Sequence, residues 1–155
     1  MNSVKIEILN EISHKNLNII CDIYSKELNA DVLPNFGKNI LTKYFRLVIK
    51  NNNGVVIIAS SKGKIVGFLT LRFKKINLVN ILDLKSIFVF FYNIIFNPIV
   101  FFKLIFQIFK KDVSPNSFAE IHAFAVKNKY RSIGLGKKLI KKAEILSSKK
   151  KMCGI

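Results

Sequence analysis

The sequence predicts an α+β fold, a small sheet flanked by helices, and three observations carry that class. Val4, Ile6 and Ile8 alternate with Lys5 and Glu7, the period of a half-buried strand. Two stretches follow in which apolar residues recur every three or four positions, the period of amphipathic helices. Then come two β-branched runs joined by a turn signal and, near the end of the chain, a strand, a glycine turn and a helix.

In chain order, Val4–Leu9 is the first expected strand. Ser13 suits the N-cap of a helix running to about Asn29, whose apolar stripe is Leu17, Ile20, Cys21, Tyr24 and Leu28. Pro34 and Gly37 interrupt. A second helix is expected over Lys38–Ile49, with Ile40, Leu41, Tyr44, Phe45 and Val48 on its apolar face. Asn51, Asn52, Asn53 and Gly54 break the pattern. Residues 55–59 and 65–73 read as strands of a hairpin turning at Ser61, Lys62, Gly63 and Lys64. Asp112 to Asn116, with Pro115, is a turn leading into a strand over residues 118–126.

At 155 residues the chain has the length of one domain with a real core. Its formal charge of +17 raises a nucleic-acid hypothesis. The lysines are scattered, however, within a composition also rich in Asn, Ile and Phe. A solvated basic surface is the reading adopted, with weak attraction to polyanions as a by-product and no nucleic-acid partner expected. Cys21 and Cys153 are far apart and have no metal spacing, so no metal is expected and a reducing, cytoplasmic setting is the default. The first ten residues carry Lys5 and Glu7 and have no apolar core of a signal peptide.

The strand over 118–126 is followed by a polar connection, and at Gly134 the period changes to a helical one. Leu135, Leu139, Ala143 and Leu146 then lie on one side, with Lys137, Lys138, Lys141 and Lys142 around the other. A helix start offers unpaired N–H groups and a partial positive charge, and glycines there admit an anion close to the main chain. Gly136 is followed by Lys137 and Lys138, which excludes a Walker ending; Leu139 stands where a dinucleotide fingerprint needs a third glycine. What remains is Arg131-x-x-Gly134-x-Gly136 behind a strand ending Ala125-Val126.

This pattern resembles the acetyl-CoA-binding motif of the GNAT superfamily of N-acetyltransferases, over about 25 residues. The opening order of strand, two helices and hairpin is similar to that family as well. The resemblance implies a GNAT-like acyl-CoA N-acyltransferase fold, a central, mostly antiparallel sheet flanked by helices. It further implies acetyl-CoA as co-substrate. Phe124, Ala125 and Val126 would contact its pantetheine arm through the main chain. Arg131, Ser132, Ile133, Gly134, Leu135, Gly136 and Lys137 would hold its pyrophosphate. The acceptor would be an amine, less readily a hydroxyl, attacking directly in a ternary complex. Glu120 sits where many members carry a general base. By strand alternation Glu120, His122, Phe124 and Val126 share one face, and Ile121, Ala123 and Ala125 the other, so His122 is a second candidate. The first two helices would form the acceptor pocket.

Two features depart from the family pattern. Residues 77–111 are too long and too apolar for a tight β connection; about 17 residues from Ser86 to Phe102 carry no charge, the lower edge of a bilayer span. Pro98 divides the stretch into expected helices at about 84–96 and 98–109. A transmembrane span, a helical pair lying on the inner face of a membrane, and packing against the chain's own sheet or a second copy in a homodimer are all open. The stretch hints at a lipid-linked acceptor beside the small-molecule one. Cys153, Gly154 and Ile155 look like the first residues of a fifth strand. The later family elements, with an Asn and a general-acid Tyr, do not follow, so residues 1–155 are expected to be one incomplete domain. The alternative to an enzyme is a membrane-associated binding module or an inactive fragment, with the glycine turn merely structural.

Overall fold

A computed structural model of the chain describes residues 4–9, 13–28, 31, 33–74, 76 and 118–155. Their elements, in order, are β1 (Val4–Leu9), α1 (His14–Glu27), α2 (Lys38–Ile49), β2 (Gly54–Ser61), β3 (Lys64–Arg72), β4 (Glu120–Val126) and α3 (Leu135–Lys149). The strands form one antiparallel sheet in the order β1-β2-β3-β4. The α+β expectation is met over the described residues, as an antiparallel sheet flanked by helices.

The local reasons are those of the sequence. The Ser13 hydroxyl accepts the Asn16 N–H at 3.2 Å and so caps α1. Between β2 and β3, Lys62 and Gly63 both take positive φ, the turn whose twist matches a tight hairpin. β2 and β3 are buried on both faces, which is why they read as apolar runs and not as alternation.

One face of the sheet packs against α1 and α2. Leu17, Ile20, Tyr24, Leu41, Phe45 and Val48 meet Val56, Ile58 and Phe68 there, together with Ala123 and Ala125. At its centre the Phe45 ring lies edge-on to Tyr24 at 6.0 Å and to Phe68 at 5.7 Å. The other face takes α3, whose Leu135, Leu139 and Ala143 pack on Ile57, Ala59, Val66, Leu69 and Leu71.

β4 corrects the alternation expected for it. Thr70 pairs with Ala123 but Leu71 pairs with Ile121, so His122 is an extra residue with no opposite number on β3. This β-bulge resets the period. Glu120 and His122 stay on the α1–α2 face, where Glu120 meets Arg72 and His122 meets Tyr44. Ala123 and Ala125 join them on that face, whereas Phe124 and Val126 turn to the α3 side with Ile121.

Beyond α3 the chain doubles back. Gly154 forms a parallel bridge with Phe118, and its carbonyl accepts both the Ala119 N–H at 3.0 Å and the Ser147 hydroxyl at 3.1 Å. Residues 153–155 thus begin beside the root of β4, as a fifth strand would. The apolar stretch 77–111, its two expected helices and the turn at 112–116 lie outside the described residues. Among the described residues no helix is long and apolar enough to cross a membrane.

The ring cluster between α1, α2 and β3 sets the stability of the layer that carries the site. Phe45→Ala empties its centre and is expected to cost about 3–5 kcal/mol, read as a lower denaturant midpoint in urea unfolding. An unchanged midpoint would show that α2 is not anchored there.

Candidate active site

The turn between β4 and α3 is shaped by two glycines in different ways. Gly134 has φ +79, in the left-handed region, and among the described residues nothing lies within 4 Å of where a Cβ would stand. Its side of the turn is open. At Gly136 a Cβ would come within 3.0 Å of the Phe124 ring, so this glycine is needed for close packing of helix on strand. Sequence reasoning gave both glycines to an approaching anion; of the two, Gly134 has the open Cβ side and Gly136 the closely packed one. The first helical bond runs from the Lys138 N–H to the Gly134 carbonyl at 3.2 Å. The helix itself therefore pairs none of the N–H groups of Leu135, Gly136 and Lys137, and its positive end points into the turn. Ser132 is also left-handed, with φ +63, and Arg131, Ser132 and Ile133 are exposed.

Arg131 is partly committed to holding this turn. Its Nε donates to the Val126 carbonyl at 3.0 Å, and one terminal nitrogen donates to the Glu27 carboxylate at the end of α1. The Val126 carbonyl therefore faces the outer edge of β4, while the Lys127 N–H bonds back to Val66 of β3 at 2.9 Å. In an antiparallel ladder these directions alternate, so the N–H and C=O groups of Phe124 and Val126 both face outward. Among the described residues no strand lies along that edge beyond the bridge at Phe118. A main-chain edge thus runs directly into a helix start.

On the α1–α2 face the bulge gathers a polar group. Glu120 receives a hydrogen bond from Arg72, whose side chain is 8 % exposed, and His122 Nδ1 lies 3.8 Å from the other Glu120 oxygen. The His122 imidazole and then the Arg72 guanidinium hold the Glu120 carboxyl at about 2, against the opposing effect of partial burial. The Tyr44 ring lies 5.0 Å from that of His122. Burial drives the Tyr44 phenol well above its usual range, and the same holds for Tyr24, which also donates to Asp31. Among the described residues, four buried atoms on this face have no hydrogen-bond partner: Tyr44 Oη, Thr70 Oγ1, Arg72 Nε and His122 Nε2. Buried polar atoms left so are rare. Among the described residues no cluster of His, Cys, Asp and Glu could hold a metal ion.

The structure thus brings Glu120 and His122 together and sets Phe124, Ala125, Val126 and the 131–137 turn in one continuous run. Sequence reasoning missed Glu27, Tyr44, Thr70 and Arg72. Arg72 had a signal, a charge ending an apolar strand. Tyr44 sat in an apolar helical stripe and looked like core alone.

The Glu120 carboxyl, held low from a usual value of 4.5, makes part of the acid sensitivity of the fold. A depressed carboxyl contributes stability that is present above 4.5 and is lost as the pH falls through about 2. Glu120→Gln is expected to flatten the fall in urea stability across that window and no other. An unaltered profile would show that Glu120 is not ion-paired.

Comparison with known proteins bears on the whole of this arrangement. The family model of the acetyltransferase (GNAT) family matches residues 18–153. No curated protein matches the chain. Among solved structures, an aminoglycoside N-acetyltransferase in complex with CoA is similar with a TM-score of 0.61 at 12% identity, covering 99% of this chain and 75% of that one. A GNAT family acetyltransferase from Staphylococcus aureus gives 0.56 at 14% identity, covering 100% and 84%. An aminoglycoside acetyltransferase from an uncultured soil metagenomic sample, in complex with sisomicin, gives 0.53 at 19%, covering 97% and 74%. At such identities the likeness is one of fold; the family model, spanning most of the chain, places the protein in the GNAT acetyltransferase family.

Proposed function

We propose that this chain transfers an acetyl group from acetyl-CoA to a small-molecule amine by direct attack in a ternary complex. The observation that carries the reading is one of adjacency. Among the described residues, the strand bearing an unpartnered, buried His122 Nε2 runs, through an open main-chain edge, into an open left-handed turn at a helix start. The N–H groups of Leu135, Gly136 and Lys137 and the bare side of Gly134 suit a pyrophosphate. Lys137, Ser132 and Ile133 stand exposed at the rim. The outward N–H and C=O groups of Phe124 and Val126 suit the amide-bearing pantetheine arm. They also supply a donor for the charge that develops on the thioester oxygen.

Within that frame Glu120 and His122 divide the work of the base. A carboxylate held at about 2 is a poor proton acceptor near neutrality. Glu120, fixed by Arg72, instead faces Nδ1–H of the imidazole, which leaves Nε2 with the lone pair. His122 Nε2 takes the proton as the amine nitrogen bonds to the thioester carbon, and the C–S bond then breaks with its electron pair on sulfur, so that CoA leaves as the thiolate. The unpartnered Tyr44 and Thr70 hydroxyls and Arg72 Nε favour an acceptor with hydrogen-bonding groups of its own, such as a hydroxylated amine. A lipid-linked acceptor rests on residues 77–111, outside the described residues.

Gly134→Asp tests the phosphate turn, since Asp tolerates left-handed backbone and adds a carboxylate where the pyrophosphate is placed. Calorimetric titration with acetyl-CoA should show binding by the parent chain and a loss of roughly a hundredfold or more in the variant. Equal binding by both sinks the reading. For the base, His122→Gln should lower the rate of CoA release by roughly 10²–10⁴-fold, with sisomicin as the trial acceptor. Glu120→Gln should lower it less, and a larger loss for Glu120→Gln than for His122→Gln would reverse the two roles.

A further inference from the structure

Glu27 is the last residue of α1, and a carboxylate there stands at the negative end of the helix dipole. It is nonetheless only 10% exposed, and both of its oxygens are used across more than a hundred residues of sequence. Oε1 accepts the Asn128 N–H at 3.3 Å, and Oε2 accepts a terminal N–H of Arg131. Arg131 in turn reaches the Val126 carbonyl through Nε at 3.0 Å. The end of β4, the short turn Asn128–Tyr130 and the end of α1 are therefore one bonded unit. That unit lies immediately before Ser132, a non-glycine residue whose positive φ is a local conformation that the surroundings must hold.

A carboxylate beside a site for phosphates would repel them if it were not neutralised. Arg131 neutralises it, and in doing so spends two of its three nitrogens on protein partners. An arginine kept wholly for phosphate would need no such partner. The arrangement fits a strut that shapes the turn ahead of the ligand, with the third nitrogen left to meet an anion.

We propose that Glu27 is a positioning residue for the phosphate turn: through Arg131 and the Asn128 N–H it preorganises the turn from helix α1 and so sets the affinity for acetyl-CoA. This rests on the acetyl-CoA reading above. The Glu27 carboxylate does not touch the ligand; its effect passes through Arg131.

The test is calorimetric titration of the full chain with acetyl-CoA, using the parent, Glu27→Gln, Arg131→Gln and the double variant, each checked by its thermal midpoint. Glu27→Gln is expected to weaken binding about tenfold, the scale of one hydrogen bond to a charged group. The double variant should bind no worse than the weaker single variant, because both act through the same contact. S-Acetylpantetheine, which lacks the pyrophosphate, is the control ligand. Its affinity should be unchanged by Glu27→Gln, whereas a general loosening of the fold would lower both. Should Glu27→Gln not fold, Asn128→Pro removes the N–H donor to Glu27, together with an exposed amide side chain, at the first position of its turn where proline fits, and should weaken acetyl-CoA binding severalfold. Additive losses, equal losses for both ligands, or unchanged or tighter binding of acetyl-CoA by a folded variant would overturn the role of Glu27. Failure of the parent to bind acetyl-CoA would instead remove the reading beneath it.

Discussion

Between the pairs Thr70–Ala123 and Leu71–Ile121, β4 carries one residue more than β3, and the rest of the site follows from where that residue sits. A bulge bends its strand and raises the local twist. Upstream of it, Glu120 remains opposite Arg72 on the face covered by α1 and α2. Downstream, Phe124 is turned to the α3 side, where its ring fills the space left by Gly136. Remove the extra residue and one half of the strand must turn over. Either Glu120 would leave Arg72, or Phe124 would leave Gly136. The chemistry of one face and the docking of α3 on the other therefore depend on the same local irregularity.

The charges divide along similar lines. In a chain of formal charge +17, the two carboxylates nearest the site are each matched to one arginine, Glu120 to Arg72 and Glu27 to Arg131. The first pair is half-buried, and among the described residues its arginine keeps Nε without a partner. The second pair is wetter on the arginine side, 50% exposed, and its task is geometric: it ties a loop to a helix.

The sequence by itself determined every element whose cause is local. The Lys38–Ile49 helix, the cap at Ser13 and the tight hairpin turn at Lys62 and Gly63 all rest on residues within one turn or one strand of each other. So does the strand–turn–helix around Gly134, because left-handed backbone and an open helix start are written in neighbouring residues. Only the tertiary structure decided which side of β4 each residue serves, since a bulge is a mismatch between two strands and has no signature in one of them. It alone joined Glu27 to Arg131 and Arg72 to Glu120, partners separated by 104 and 48 positions. No periodicity connects residues that far apart; what brings them together is the packing of α1 and β3 against β4, and that is a property of the folded whole.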